Sequence, residues 1–293
     1  MKSLQWRIGD VEIFQIVEIE NAGELIQSII PEATPENIKK IDWLQPDFTD
    51  ADGHLKARVQ SFLIKSDERW ILVDTCNGNG KKRTDMPEWG NLQTNFLEKM
   101  HELGVRETDI DRVICTHLHC DHVGWNTIWR NGEWVPTFPN AEYIFARKEY
   151  DYWANKPAGE IADDLAAFDD SVAPIIRDDL AKLVKEDFRI DENIRLIPTP
   201  GHTPGHVSVR IESGGEKTII CGDLFHHPCQ IAFPEWSAEE GEAKQQAIAS
   251  RLKLLNEIAD KNILLMAPHF TGPAAGFVKR SGEGYKLIMG EEK

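Results

Sequence analysis

The chain has 293 residues, 41% of them hydrophobic with nine Trp and twelve Phe, so it can bury a large core and is neither disordered nor fibrous. Against 33 basic side chains stand 49 acidic ones, and a net charge of −16 repels phosphate backbones and excludes a nucleic-acid partner. Five cysteines at irregular spacing, with no CxxC pair, give no disulfide framework and fit the reduced thiols of a cytoplasmic protein.

The first twenty residues, MKSLQWRIGDVEIFQIVEIE, lack the apolar core of a secretory signal. No later stretch approaches the roughly 18 apolar residues of a membrane span. Val11–Ile19 alternates with period two, as a half-buried strand does. Residues 20–58 are polar, carry Pro31, Pro35 and Pro46, and hold a short helical segment at Pro35–Trp43. They read as a surface excursion that serves as a lid or, through Trp43, as a homodimer contact. Strands are predicted at Val59–Ile64 and Trp70–Asp74, then a helix at Leu92–Leu103 ended by Gly104.

Arg112–Thr116 is a short buried strand that runs into His117-Leu118-His119-Cys120-Asp121-His122. Glu142–Phe145 is another strand, and a helical insertion follows from about 147 to 188. The acidic pairs Asp163–Asp164, Asp169–Asp170 and Asp178–Asp179 within it read as solvated helical faces. The second half gives strands at Ile194–Ile197, Val207–Ile211 and Lys217–Cys221, a long helix at Ala238–Asp260, a strand at Ile263–Met266 and a closing loop. Strands in runs with helices between them, and a second half that echoes the first, predict one domain over 1–293. Its class is α/β, with two mixed sheets packed face to face and flanked by helices.

The hexapeptide His117-x-His119-x-Asp121-His122 places four metal-competent side chains in six positions directly after a buried strand. Imidazole nitrogen and carboxylate oxygen suit Zn²⁺ at roughly 2.0–2.2 Å. Four ligands in one loop exceed what a tetrahedral ion with an open water position needs, so the economical reading is two metals. Three further candidates follow apolar strands: His202 in Pro200-Gly201-His202-Thr203-Pro204-Gly205-His206, Asp223 in Cys221-Gly222-Asp223, and His269 in Pro268-His269-Phe270. Strand ends are where α/β folds build sites. Taken singly, each has a plainer explanation: a satisfied core or surface histidine, a turn or cap aspartate, or, for the hexapeptide, one structural metal.

The combined set, HxHxDH, then His202 80 positions on, Asp223 21 further and His269 46 further, resembles the metallo-β-lactamase-fold hydrolase superfamily. The nearest resemblance is to methyl-parathion-hydrolase-like and quorum-quenching lactonase-like members. That resemblance implies the αβ/βα sandwich. It also implies a first metal held by His117, His119 and His202, a second by Asp121, His122 and His269, and Asp223 between them. Asp74 resembles an acidic residue that supports the metal loop from behind, although a simple turn residue is an equal reading. Cys120 reads as a spectator thiol and Cys221 as a buried strand residue.

Two ions roughly 3.5–4 Å apart share a hydroxide and polarise a substrate oxygen, so no protein nucleophile is required. The expected activity is a dinuclear hydrolase, most simply with Zn²⁺, acting on a lactone, ester or phosphotriester of a small molecule. Asp121 orients or relays the proton in this scheme. Lactonases of this kind commonly carry Tyr three residues after the shared Asp; here the position is His226, followed after His227 by Gln230-Ile231-Ala232-Phe233 as in the phosphotriesterase-like group. His226 is either an auxiliary polar group in the pocket or a helix-start histidine with no role. Trp43, Trp125, Trp129, Trp153 and Trp236 are candidates for an apolar pocket wall or for ordinary core, with Trp125 placed nearest the metals. A non-catalytic metal-binding member of the fold, or a mononuclear iron sulfur dioxygenase, are the alternatives. A complete second ligand set weighs against both.

Overall fold

The structure, a computed structural model, describes residues 4–156 and 158–289. The chain divides into two compact units, one formed by Val59–Glu186 with the chain up to Glu18, the other by Ile19–Arg58 with the chain from Asp187 onward. The first unit contains β1 (Gln5–Ile8), β2 (Val11–Ile19), β3 (Val59–Ser66), β4 (Arg69–Val73), β5 (Ile110–Ile114), β6 (Thr127–Arg130), β7 (Glu133–Pro136), β8 (Glu142–Ala146) and β9 (Ala181–Val184). Among the described residues, seven of these form one sheet in the order β1-β2-β3-β4-β5-β8-β9, and β6 and β7 form a separate hairpin.

Why these segments are strands follows from their burial. β2 alternates between buried and half-buried positions, as its period-two sequence requires. In β3, β4 and β8 the buried residues are consecutive, because central strands covered on both faces have no solvent side for polar residues. β3 and β4 pair antiparallel across a tight turn, whereas β4–β5, β5–β8 and β8–β9 are parallel. Parallel neighbours need a crossover, and helix Phe96–Glu102 lies in the one between β4 and β5.

The second unit contains β10 (Ile194–Pro198), β11 (Val207–Ser213), β12 (Glu216–Ile220), β13 (Ile263–Met266), β14 (Ala275–Ser281) and β15 (Gly284–Met289), hydrogen-bonded in that order. β10–β11 and β11–β12 are antiparallel and β12–β13 parallel, with helix Gly241–Ile258 in the crossover. A hairpin, a helical crossover and a parallel strand thus recur in both units, which is the echo read in the sequence. Residues 20–58 carry helices Gly23–Ile29 and Pro35–Ile38 and pack with this second unit.

Three features differ from the sequence reading. The helical stretch after β8 is interrupted at Arg177, and Ala181–Val184 joins the sheet as β9 beside β8. A four-residue edge strand is too short for its periodicity to register. The closing loop contains the β14–β15 hairpin, whose turn at Gly282 has φ +57. The acidic pairs are not all solvated: Asp163 and Asp164 are buried. Asp163 accepts the backbone N–H groups of Thr84, Asp85 and Met86, and Asp170 faces buried Lys81 and Arg83. Backbone donors and cations far away in sequence satisfy these carboxylates, which no local charge pattern reveals. No helix among the described residues is long and apolar enough to cross a membrane.

Candidate metal centre

In the first unit β4, β5 and β8 run parallel, so their C-terminal ends share one edge of the sheet. On that edge β4 delivers Asp74, β5 delivers Thr116 and the His117–His122 loop, and β8 delivers Glu149 on helix Arg147–Ala154. His117, Asp121 and His122 are buried. The His117 Nε2 and His119 Nδ1 atoms lie 3.0 Å apart, the His117 and His122 ring centroids 4.0 Å apart, and His122 Nε2 is 3.6 Å from Asp121 Oδ2.

The backbone behind this loop is fixed by buried carboxylates. Asp74 accepts from Thr116 N at 2.7 Å and from the Thr116 hydroxyl at 2.9 Å, and its Oδ2 lies 2.9 Å from His122 Nδ1. Glu149 accepts from Leu118 N at 3.1 Å and Trp153 Nε1 at 2.8 Å, while Asp164 accepts from Cys120 N at 2.8 Å. Asp74 itself sits at φ +56, and the turn after it is stitched to the loop by Thr75 N to His122 O and Gly124 N to Cys76 O. Gly124 has no alternative there, since a Cβ would lie 1.9 Å from the Asn77 carbonyl carbon.

Trp125 is buried, but its ring turns toward Phe96, stacked at 5.6 Å, and toward Glu18, to which its Nε1 donates at 2.6 Å. Burial raises the pKa of Glu18, opposed by hydrogen bonds from Asn77, Thr94 and Trp125. Trp153 is the indole that meets a candidate ligand, edge-on to His119 at 5.3 Å. Trp129 is exposed on the β6–β7 hairpin, Trp43 is half-buried, and Trp236 stacks on Phe233 at 4.7 Å.

In the second unit two antiparallel pairings return β10 to the direction of β12, and β13 is parallel to β12. The ends of these three strands therefore share an edge, where they present His202, Asp223 and His269. His202 Nε2 is 3.6 Å and His269 Nε2 3.2 Å from Asp223 Oδ2. His202, Asp223 and His226 offer ligand atoms within 4.8 Å of one another. Asp223 N donates to His206 Nε2 at 3.0 Å, so His206 serves the backbone of this loop. Gly201 lets the His202 loop touch helix Gly241–Ile258: at its φ of +144 a Cβ would sit 2.3 Å from Ala247 Cα.

Three of the histidines share a pattern that bears on a metal. Nδ1 of His122 faces the Asp74 carboxylate, Nδ1 of His202 faces Glu239 Oε1 at 3.0 Å, and Nδ1 of His269 faces the Arg58 carbonyl at 2.8 Å. Each of those oxygens can only accept, so each Nδ1 carries a hydrogen and Nε2 is the nitrogen left for a second partner. Those Nε2 atoms lie 3.2–3.6 Å from carboxylate oxygens of Asp121 and Asp223. A proton or a metal ion can occupy the space between such atoms, and imidazole nitrogen beside carboxylate oxygen is a donor set that fits divalent cations.

His226 is buried, with Nε2 3.4 Å from Asp223 Oδ2 and neither ring nitrogen in a hydrogen bond. Burial, then the neighbouring His202, depresses its pKa to about 3. All five cysteines are buried and outside disulfides. Cys120 is raised well above a normal thiol by burial and nearby carboxylates, which leaves it a protonated spectator. The sequence reading missed Glu149, Asp164, His206, Glu239 and Arg251. The only local signal was for Arg251, a charge on the stripe Ala247, Arg251, Leu254, Leu255, Ile258 that helix Gly241–Ile258 buries.

Residues 57–265 match the metallo-beta-lactamase superfamily, and the chain belongs to it. Its fold is the metallo-β-lactamase fold predicted from the sequence. An N-acyl homoserine lactonase of Bacillus cereus is 26% identical over 177 residues, 57% of this chain; the match spans 63% of that relative's length. Metallo-beta-lactamase domain-containing protein 1 of Xenopus laevis is 27% identical over 71% of this chain and 72% of its own. Among solved structures, AidC, a dizinc quorum-quenching lactonase in complex with a product, superimposes with a TM-score of 0.79 at 24% identity, covering 99% of this chain and 98% of that one. The hydrolase AbOPH gives 0.78 at 24% identity over 99% and 98%.

Proposed function

We propose that this chain is a metal-dependent hydrolase that holds two divalent cations, Zn²⁺ being the simplest choice, and opens a lactone, ester or phosphotriester bond of a small molecule. The observation that carries this reading is the set of Nε2 atoms facing buried carboxylates, each ring fixed by an acceptor behind Nδ1. Membership of the superfamily and the lactonases among its relatives support the lactone as the first substrate class to try. His117, His119 and His202 would hold the first ion, Asp121, His122 and His269 the second, and Asp223 both. When bound, the ions supply an acidified water and an electrophilic contact for the substrate oxygen.

The chain's own residues do the remaining work. Asp121, on the short helix Cys120–Val123, would hold or orient a proton taken from the attacking water. His226 keeps two ring nitrogens outside any hydrogen bond, so it is the side chain available to bind a substrate oxygen. Its burial keeps the ring neutral, and it acts as a hydrogen-bonding group rather than a counter-charge. Reduced, buried thiols fit a cytoplasmic setting.

The test is a panel of N-acyl homoserine lactones, aryl esters and aryl phosphotriesters on metal-loaded protein, beside His119→Ala and His226→Phe. The reading expects turnover of at least one class, loss of it in His119→Ala with the fold kept, and a kcat decrease of about tenfold or more in His226→Phe. No turnover in any class by protein that binds two ions would overturn it.

A further inference from the structure

Two buried charges in the second unit lie behind the candidate ligands without being ligands themselves. Arg251 has a side chain with no exposed surface, and Glu239 beside it is 6% exposed. A guanidinium in such a place has to spend its N–H groups on fixed acceptors. Arg251 donates from Nε to the Leu224 carbonyl at 2.7 Å, from Nη1 to the Trp236 carbonyl at 2.8 Å and Ser237 Oγ at 3.0 Å, and from Nη2 to Glu239 Oε2 at 3.1 Å. The other oxygen of Glu239, Oε1, lies 3.0 Å from His202 Nδ1, and the Ser237 hydroxyl also bonds the carboxylate.

One side chain on helix Gly241–Ile258 therefore grips two loops at once. Through Leu224 it holds the turn that carries Asp223. Through Glu239 it holds the imidazole of His202, whose Nε2 is 3.6 Å from Asp223 Oδ2. One turn earlier the same helix presses Ala247 against Gly201, the residue before His202. We propose that Arg251 and Glu239 are positioning residues for metal binding: Glu239 fixes the tautomer and ring orientation of His202, and Arg251 fixes the spacing of His202 from Asp223. The proposal rests on His202 and Asp223 being metal ligands. If the pair merely fastened helix to loop, Arg251 would be satisfied by carbonyls alone. Instead the carboxylate it holds spends its second oxygen on His202.

The experiment titrates metal-free, full-length protein with Zn²⁺ and Co²⁺ against a chromophoric chelator, and records Co²⁺ absorption spectra and thermal melts. The proteins compared are wild type, Glu239→Gln, Arg251→Met and His202→Ala. Wild type should bind two ions and His202→Ala should lose one tight site. Glu239→Gln should weaken one site by roughly 10–100-fold and shift the Co²⁺ spectrum. Arg251→Met should do the same, and if it fails to fold, the near-isosteric Glu239→Gln carries the test alone. Unchanged affinity and spectrum in Glu239→Gln, even with a lower melting temperature, would overturn the proposal and leave the pair a structural fastening. Two tight sites surviving in His202→Ala would instead remove the ligand reading on which it rests.

Discussion

Replacing Asp74 by Asn separates carboxylate from backbone more cleanly than any other change in the first unit. Asp74 occupies the left-handed region at φ +56, which Asn tolerates at least as well, so the turn is kept. What changes is the pairing with His122. If the Asn oxygen stays on Thr116 N, its amide N–H groups replace Oδ2 opposite the Thr116 hydroxyl and His122 Nδ1. A donor there forces His122 to accept at Nδ1 and carry its hydrogen on Nε2, so the lone pair facing Asp121 is lost. With the amide reversed, two donors collide at Thr116 N instead.

The metal-free fold should lose about 1.5–3 kcal/mol, the scale of a hydrogen bond to a buried charge. The second ion should bind 10–100-fold more weakly, about 1.4–2.8 kcal/mol. Chelator competition on the loaded protein, with urea unfolding of the metal-free form, measures the two separately. Wild-type affinity for both ions in Asp74→Asn would refute the tautomer argument.

Other consequences can be read from single residues. His227 is fully buried, with Nε2–H donating to the Phe48 carbonyl at 2.9 Å and Nδ1 accepting from Cys229 N at 3.1 Å, and burial lowers its pKa to about 4. The unfolded chain takes up this proton first. Stability contributed by the neutral ring is therefore complete above about pH 6.5 and lost as pH falls toward 4, at up to about 1.4 kcal/mol per pH unit. Urea unfolding of metal-free protein between pH 7 and 5 should show a smaller slope in His227→Gln than in wild type, and equal slopes would contradict the assignment. Gly201→Ala should cost more than about 1 kcal/mol and weaken metal binding, because both φ and the contact with Ala247 oppose a Cβ; a neutral effect in both assays would show that the loop has room to move.

How much of this was visible in the residues themselves depended on the distance over which each cause acts. Strands β3, β4, β8 and β13 announce themselves because burial on both faces leaves runs such as Phe62-Leu63-Ile64 and Leu264-Leu265-Met266. β9 is a short edge strand in a polar stretch, and its pairing with β8 is not written locally. The histidines and aspartates at strand ends stand out because apolar strands stop there. Their anchors do not, since Glu239 follows His202 by 37 residues and Arg251 by 49, and only the fold returns Glu239 to its imidazole and Arg251 to Glu239. Sequence distance alone puts Trp125 near the candidate ligands and does not show where its ring turns, which is to Glu18 and Phe96. Trp153, four residues past Glu149 on the same helix face, meets His119 instead.

Crystals of the zinc-loaded protein, measured on both sides of the zinc absorption edge, show how many ions the chain holds and on which side chains. Two anomalous peaks are expected, one within bonding distance of His117, His119 and His202, the other of Asp121, His122 and His269, with Asp223 beside both. A single peak, or an Asp223 carboxylate turned away from both, would contradict the two-ion reading.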